Sequence, residues 1–188
     1  MKKINLIFLI QVIVFNSVYA QNTFTLSSNE LGGQATINEE FNGFGCMGDN
    51  LSPQLSWQNA PEGTNSFAIT MYDPDAPTGS GWWHWVVFDI PLGTNEIVSG
   101  AGSTNLNLMP RGVIQSVSDY GTNGYGGPCP PEGHGLHQYI ITIHALSIAK
   151  LGLNPNTNPA VVGYNILSNT LSKASIVIYY ERVNKAEE

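Results

Sequence analysis

The sequence predicts a mainly β fold: an antiparallel β-sandwich of the Greek-key type with one or two short helices. Its 20 glycines, 11 prolines and low charged fraction of 11% are typical of a turn-rich β protein rather than a helical bundle. Several short segments rich in β-branched and aromatic residues are separated by loops, whereas residues 158–171 have a helical pattern. Many strands with few helices indicate two packed antiparallel sheets.

The start of the chain has the pattern of a secretory signal peptide. Two lysines and an apolar run over residues 4–15 precede small residues that end at Ala20. The apolar run is too short to span a bilayer comfortably. We therefore predict a signal peptide at 1–20, a single domain at 21–188, and a periplasmic or secreted protein with no stable membrane insertion after cleavage. An uncleaved membrane anchor is the alternative.

The charge balance limits the classes of partner. The formal net charge is −7, and loss of the two signal lysines would bring it to −9 (−7 − 2). An acidic, sparsely charged surface argues against nucleic acids and anionic membranes as partners.

Two cysteines, Cys46 and Cys129, remain after the predicted cleavage site. In an oxidising compartment an even pair more often forms a disulfide than a reactive site. The sequence does not show whether their Cα atoms lie within bridging distance.

The first half of the predicted domain contains short strands and one hairpin. Residues 23–27 alternate as a strand does, and residues 34–42 suggest a short strand and then a turn. Apolar runs at 66–73 and 83–90 flank a polar turn rich in proline and glycine, which predicts a hairpin. Alternation along its second strand predicts two faces, one with His84, Val86, Phe88 and Ile90 and the other with Trp83, Trp85, Val87 and Asp89.

The second half is predicted to hold a strand at 112–117, a Gly/Pro-rich loop, a strong strand at 137–147, the helix and a last strand at 174–180. In the helix, Asn158 can act as the N-cap and Pro159 fits the first turn.

Polar side chains at the ends of the central strands are the candidates for ligand binding. Asp73 ends the first hairpin strand and His84 begins the second, so pairing would place both at one end of the sheet. His137 comes after the glycine-rich loop, whose backbone N–H groups can approach a ligand closely. The carboxylates would hold the imidazoles and favour their cationic form, which suits an anion. The candidate set is Asp73, Asp75, His84, Tyr125, His137, Tyr139 and the backbone of Gly126–Gly127.

Other histidines and the tryptophans are interpreted as structural. His144 lies in mid-strand on the face opposite His137, and His134 lies at an exposed loop tip. The tryptophans are most simply core residues, namely Trp57, Trp82, Trp83 and Trp85.

Common catalytic signatures are missing from the sequence, including G-x-S-x-G, H-E-x-x-H and the P-loop. His134 and His137 give H-x-x-H, which could hold a metal together with Asp73 or Asp75. On a strand this spacing would put the two imidazoles on opposite faces, although His134 lies in the loop.

Four segments carry a specific resemblance. They are SPQLSW (52–57), YDPDAPTGSGWWHWVVFDIP (72–91), YGGPCPPEGHGLHQY (125–139) and LSKASIVIYYER (171–182). In these segments the sequence resembles the phosphatidylethanolamine-binding protein family, in particular its bacterial branch of Raf kinase inhibitor-like proteins. Both cysteines lie in motifs typical of that branch.

The resemblance implies a compact β-sandwich with a small surface pocket for phosphate or a phosphorylated head group. Family pocket positions match Asp73, Asp75, His84, His137 and Tyr139. The loop 127–131 would form a wall of the pocket, which adds Gly127 and Pro128 to the predicted ligand-binding residues. The resemblance also suggests one or two cis bonds, at Asp73–Pro74 or Ala76–Pro77. The residue after the pocket histidine is usually Arg, and Gln138 replaces it here, which removes a positive charge.

The sequence and the resemblance together predict an exported, non-enzymatic binding protein with no cofactor and no metal. Its predicted partners are a small anion or phosphorylated head group, a protein target such as a kinase or protease, and a second copy in a homodimer. Two alternatives stay open at this point. One is a metal- or His-dependent hydrolase that uses the same pocket, and the other is an interaction module with a vestigial pocket.

Overall fold

A computed structural model describes residues 22–183, so the predicted signal peptide lies outside the described residues. The described chain is mainly β, with two antiparallel sheets and one short helix, which confirms the predicted fold class. Within this range no helix has the length and hydropathy needed to cross a membrane. The elements in chain order are β1 (Thr25–Ser27), β2 (Leu55–Gln58), β3 (Ser66–Asp73), β4 (Trp82–Pro91), β5 (Glu96–Ile97), β6 (Ile114–Gln115), β7 (His137–Leu146), α1 (Pro159–Asn169) and β8 (Thr170–Tyr180).

The two sheets enclose the main hydrophobic core. The small sheet has the strand order β1-β2-β5 and the large sheet the order β6-β4-β3-β7-β8. Leu55 and Trp57 of the small sheet pack with Ile69, Trp85 and Tyr139 of the large one, all nearly or fully buried. Burial of each such side chain stabilises the fold by about 1.5–3 kcal/mol, and together these contacts hold the sheets face to face.

A second apolar cluster covers the outer face of the large sheet. Val86 and Phe88 of β4 pack there against Val162 and Ile166 of α1. The central strands are therefore buried on both faces, which explains why the sequence of β4 is apolar almost throughout.

Two β-bulges in β4 make the predicted alternation of its faces wrong. Met71 pairs with Trp85 and Tyr72 with Trp83, so His84 is an extra residue with no partner in the ladder. His84 therefore lies on the same side as Trp85, with its ring 5.0 Å from that of Tyr139. A bulge inserts one residue into the strand and thereby reverses the side-chain direction of the residues beyond it.

The second bulge lies farther along the same strand. Ile69 pairs with Val87 and Phe67 with Ile90, so two residues of β4 oppose one residue of β3. One of these two, Asp89, has a φ of 60°. As a result Ile90 joins the main core while Phe88 faces α1.

The helix begins where the sequence predicts. The Asn158 side chain accepts a hydrogen bond from the backbone N–H of Ala160, and Pro159 occupies the first turn. Gly163 on the buried side lets α1 approach the sheet, because a Cβ there would lie 2.9 Å from the Trp83 ring.

Three local expectations differ from the structure. Residues 34–42 form turns with a single bridge at Gln34 to Tyr179 instead of a strand, and the strand expected at 112–117 is reduced to Ile114–Gln115. The described residues contain no cis peptide bond, so the suggested cis bonds before Pro74 and Pro77 are wrong.

Candidate functional site

Asp73 is at the centre of the site, at the end of β3, with only 2% of its surface exposed. Its Oδ1 accepts a hydrogen bond from the Asp75 backbone N–H, and its Oδ2 lies 2.7 Å from Nδ1 of His137. An aspartate that binds the backbone two residues on stabilises a turn. This carboxylate therefore orders the turn after β3 and holds the imidazole at the start of β7.

Asp75 lies outside the cavity and connects two elements. Its Oδ2 accepts a hydrogen bond of 2.9 Å from the backbone N–H of Gln138. The turn after β3 is thereby fixed to β7 one residue beyond His137.

His84 enters the site through the first bulge. Its Nδ1 is 2.8 Å from the Gly126 carbonyl oxygen and 3.1 Å from that of Gly127. Carbonyl oxygens only accept hydrogen bonds, so Nδ1 carries the proton. Burial lowers the pKa of His84 to about 4, although the Gly126 carbonyl and the Asp73 charge act in the opposite direction.

His84 is consequently neutral at pH 7, and its Nε2 is a hydrogen-bond acceptor. This differs from the expectation of a cationic His84, because desolvation outweighs the nearby carboxylate. In the described residues Nε2 makes no hydrogen bond, and His84 is among the residues that line the cavity.

Both ring nitrogens of His137 lie within hydrogen-bond distance of a neighbouring side chain. Besides the contact of Nδ1 with Asp73, its Nε2 is 2.7 Å from Nδ1 of His134. His134 is exposed, as predicted for a loop tip. His134 lies in the loop before β7, and this loop brings its ring against that of His137. The two imidazoles therefore contact each other through one nitrogen each.

A cavity of about 150 Å³ lies among these side chains. Four of the candidates line it, namely Asp73, His84, His137 and Tyr139. The other lining residues, mostly aromatic side chains and prolines, are Phe44, Ala76, Pro77, Thr78, Trp82, Tyr120, Cys129, Pro130 and Pro131.

Three further candidates, Tyr125, Gly127 and Pro128, do not line the cavity and lie behind its wall. Tyr125 is buried and its hydroxyl donates to the Glu39 carbonyl. The Gly127 carbonyl accepts from the Tyr120 hydroxyl at 2.9 Å, and a Cβ on Gly127 would overlap the Glu39 backbone. The Pro128 carbonyl accepts from a backbone N–H of the neighbouring loop. These residues position the wall rather than contact the cavity.

Two buried donors in the cavity lining have no acceptor among the described residues. The Trp82 Nε1–H and the Tyr139 hydroxyl are inaccessible to solvent and make no hydrogen bond to residues 22–183. Burial raises the pKa of Tyr139 far above its usual value, so the hydroxyl keeps its proton. A buried donor without a partner costs about 1–3 kcal/mol, so both positions call for an explanation.

Sequence reasoning missed several members of the site. Trp82 was expected to be a core residue, and Tyr120 and Phe44 lie in irregular segments with no recognisable signal. Phe41 stacks on Tyr120 at 4.0 Å between ring centroids, and Tyr120 packs against both His84 and Trp82. This aromatic cluster depends on contacts between distant segments, which periodicity alone does not reveal.

A disulfide closes one side of the cavity. Cys46 and Cys129 are joined, with a Cα–Cα distance of 6.0 Å. The bond connects the loop that carries Phe44, 71% exposed, to the Gly/Pro-rich loop of the wall.

In residues 22–183 no group of three or more His, Cys, Asp or Glu side chains has the arrangement of a metal site. His134 and His137 bond to each other through one nitrogen each, so in this arrangement those two nitrogens do not point at a common metal.

Comparison with known proteins shows the family to which this fold belongs. Residues 27–181 match the family model described as phosphatidylethanolamine-binding protein. The chain belongs to the phosphatidylethanolamine-binding protein family. The predicted resemblance is therefore confirmed over nearly all of the described chain.

Two Escherichia coli relatives are similar over most of their length. The protein YbcL is 44% identical over 173 residues, which is 90% of this chain and 94% of YbcL. The protein YbhB is 46% identical over 157 residues, which is 82% of this chain and 98% of YbhB. The crystal structure of YbcL, described as a new member of the mammalian family, superimposes with a TM-score of 0.82 at 45% identity. That superposition covers 84% of this chain and 98% of YbcL.

Proposed function

We propose that this protein is an exported, non-enzymatic binding protein whose cavity takes phosphate or a phosphorylated head group. The observation that supports this proposal is the pair of buried donors, Trp82 Nε1–H and Tyr139 O–H, in the cavity lining. Because neither donor atom is exposed in this arrangement, a ligand would reach them only after a small shift of the side chains that cover them. Phosphate oxygens are strong acceptors and would then satisfy both donors.

The charges of the site favour a ligand that still carries a proton. Asp73 is a carboxylate in the same cavity, and no lysine or arginine of the described chain lines it. A phosphate monoester that keeps its second proton has one charge fewer and one O–H donor. That O–H matches the acceptor Nε2 of neutral His84, so the monoanion is the proposed ligand form.

A catalytic function is less well supported. In a hydrolase of the serine or cysteine type, the Nε2 of the Asp-bound histidine faces a nucleophile. In this chain the Nε2 of His137 faces His134. We therefore favour binding over hydrolysis.

The test is the affinity for phosphoethanolamine of Trp82→Phe and Tyr139→Phe, measured by calorimetry. Each substitution keeps an aromatic ring and removes one donor, so affinity should fall by about 1.5–3 kcal/mol, the value of a hydrogen bond to a charged group. Stability should stay constant or rise, because an unpaired buried donor disappears.

Trp57→Phe is the matched control, since the Trp57 Nε1–H is also buried without an acceptor in residues 22–183 but does not line the cavity. It should lower the free energy of unfolding and leave affinity unchanged. Wild-type affinity should also decrease as the pH rises through about 6, where a phosphate monoester loses its second proton. Full binding by both cavity variants, or no binding by the wild type, would refute the proposal.

A further inference from the structure

A second cavity lies on the opposite face of the large sheet. It has a volume of about 170 Å³ and is situated between α1 and the outer faces of β3, β4, β7 and β8. Its lining residues are Thr70, Tyr72, Trp83, Ile140, Thr142, His144, Gly163, Ile166, Leu167 and Lys173. Because the sheet separates the two cavities, an inference about this one does not depend on the phosphate site.

The floor of this second cavity is largely apolar. Trp83 and Tyr72 lie side by side with ring centroids 4.8 Å apart, and Ile140 and Ile166 contribute aliphatic surface. The volume is below the roughly 300 Å³ of pockets that hold drug-sized ligands, so a ligand here would have a small apolar part.

The polar side chains of the floor are already satisfied by one another. The Thr170 hydroxyl donates to the Ile166 carbonyl, so it accepts from Nδ1–H of His144, and Nε2 of His144 accepts from Thr70. Burial, together with the nearby Lys173 charge, lowers the pKa of His144 to about 4. His144 is therefore a neutral structural residue, and it offers no hydrogen bond to a ligand.

Thr142 and Ser175 form a second polar pair in which each side chain is the hydrogen-bond partner of the other. The hydroxyl of Thr142 is 2.8 Å from that of Ser175, which serves as its partner. A ligand in this cavity would thus meet few unpaired groups on the floor.

Lys173 is the exception. Its side chain is exposed at the cavity, and none of the carboxylates in residues 22–183 forms a salt bridge with it. No other lysine or arginine and no aspartate or glutamate lines this cavity, so the local charge at its mouth favours a negative head group over a positive one, although the chain as a whole has a formal charge of −7.

We propose that this second cavity binds a small amphiphilic carboxylate, such as a medium-chain fatty acid. The apolar tail would lie between α1 and the sheet against Trp83, Tyr72 and Ile140. The carboxylate would remain at the mouth beside the Lys173 ammonium group. This combination of one cation and an apolar slot selects against neutral alcohols and against amines with the same tail.

Titration with sodium octanoate, monitored through the His144 ring resonances by NMR, tests this assignment. Octanoate should shift these resonances saturably, whereas octylammonium should not, and 1-octanol should bind more weakly. Lys173→Met should weaken octanoate binding about twofold to fivefold, as expected for a partly exposed ion pair.

Two further variants separate the site from general effects. Leu167→Trp, at an exposed lining position of α1, should fill the mouth and abolish binding without disturbing the core. Lys150→Met, which removes an exposed lysine outside the lining, should bind like the wild type. The assignment is overturned if octanoate leaves His144 unmoved, if the two lysine variants bind equally, or if octylammonium binds as well as octanoate.

Discussion

A single histidine illustrates how burial can reverse an electrostatic expectation. The carboxylate near His84 suggested a cation, yet the imidazole is 2% exposed and its pKa falls from 6.5 to about 4. Sequence can indicate that a histidine and an aspartate end neighbouring strands. It does not reveal how much water the fold removes from the ring, and that quantity decides the charge.

This shift has a consequence for stability. In the unfolded chain His84 takes up a proton near its ordinary pKa of 6.5, whereas in the folded chain it does so only near 4. The unfolded state therefore binds more protons between these values, and the stabilisation present above 6.5 is lost as the pH falls. Between about pH 7.5 and pH 5 His84 should account for a loss of about 2 kcal/mol.

Urea unfolding of the wild type and His84→Gln at both pH values measures this contribution. Glutamine does not titrate, so the variant should lose about 2 kcal/mol less than the wild type on acidification. Equal losses would show that His84 has the same pKa in both states. His144→Gln offers a comparison, because burial lowers the His144 pKa in the same direction.

At the scale of elements, strand positions were more predictable than strand registers. The hairpin and the strand that begins at His137 are indicated by apolar runs and turn residues, and α1 is indicated by Asn158 and Pro159. The two bulges of β4 were not predictable from alternation. They depend on pairing with β3 and on the loop at Gly126, so they are set by contacts between separate segments.

The connection between the turn after β3 and β7 gives a prediction at this scale. Asp75 contacts the Gln138 backbone N–H and does not line the cavity. Asp75→Ala should loosen the start of β7, change the His137 ring resonances and lower phosphoethanolamine affinity through the geometry of His137. The loss should be about 0.5–1.5 kcal/mol, the value of an ordinary hydrogen bond.

Asp49→Ala is the matched control for charge. Asp49 is exposed and does not line the cavity around Asp73. If both variants alter affinity equally, net charge rather than the position of β7 is responsible. If neither does, the contact between Asp75 and Gln138 has no part in holding the site.

At the scale of the whole molecule, the family motifs contain residues that the fold brings together around one cavity. The motifs that contain Asp73, His84 and His137 lie far apart in sequence and meet in one cavity. Trp82 and Tyr120, which belong to the same cavity, were not recognised because an aromatic residue in a strand or loop is usually part of a core. The unpaired Trp82 donor and the packing of Trp82 against Tyr120 depend on contacts between separate segments, which local sequence patterns do not indicate.

The disulfide connects this tertiary arrangement to the predicted compartment. Cys46 and Cys129 are separated by 83 residues, so their bond restricts a large part of the unfolded chain. Chain-entropy arguments give an upper value of about 4–5 kcal/mol for a loop of this length, and typical measured values are about 2–4 kcal/mol. Such a bond forms in an oxidising compartment, as the prediction of export requires.

We therefore expect the double variant Cys46→Ser/Cys129→Ser to unfold at lower urea concentration, with a free energy of unfolding about 2–4 kcal/mol below that of the oxidised wild type. The reduced wild type should match the double variant, because both lack the same cross-link, and reoxidation should restore only the wild type. Since Cys129 also lines the cavity around Asp73, the proposed phosphoethanolamine binding should weaken in the same two samples. Unchanged stability after complete reduction would mean that the packing of the two sheets and the wall loops holds this fold without the cross-link.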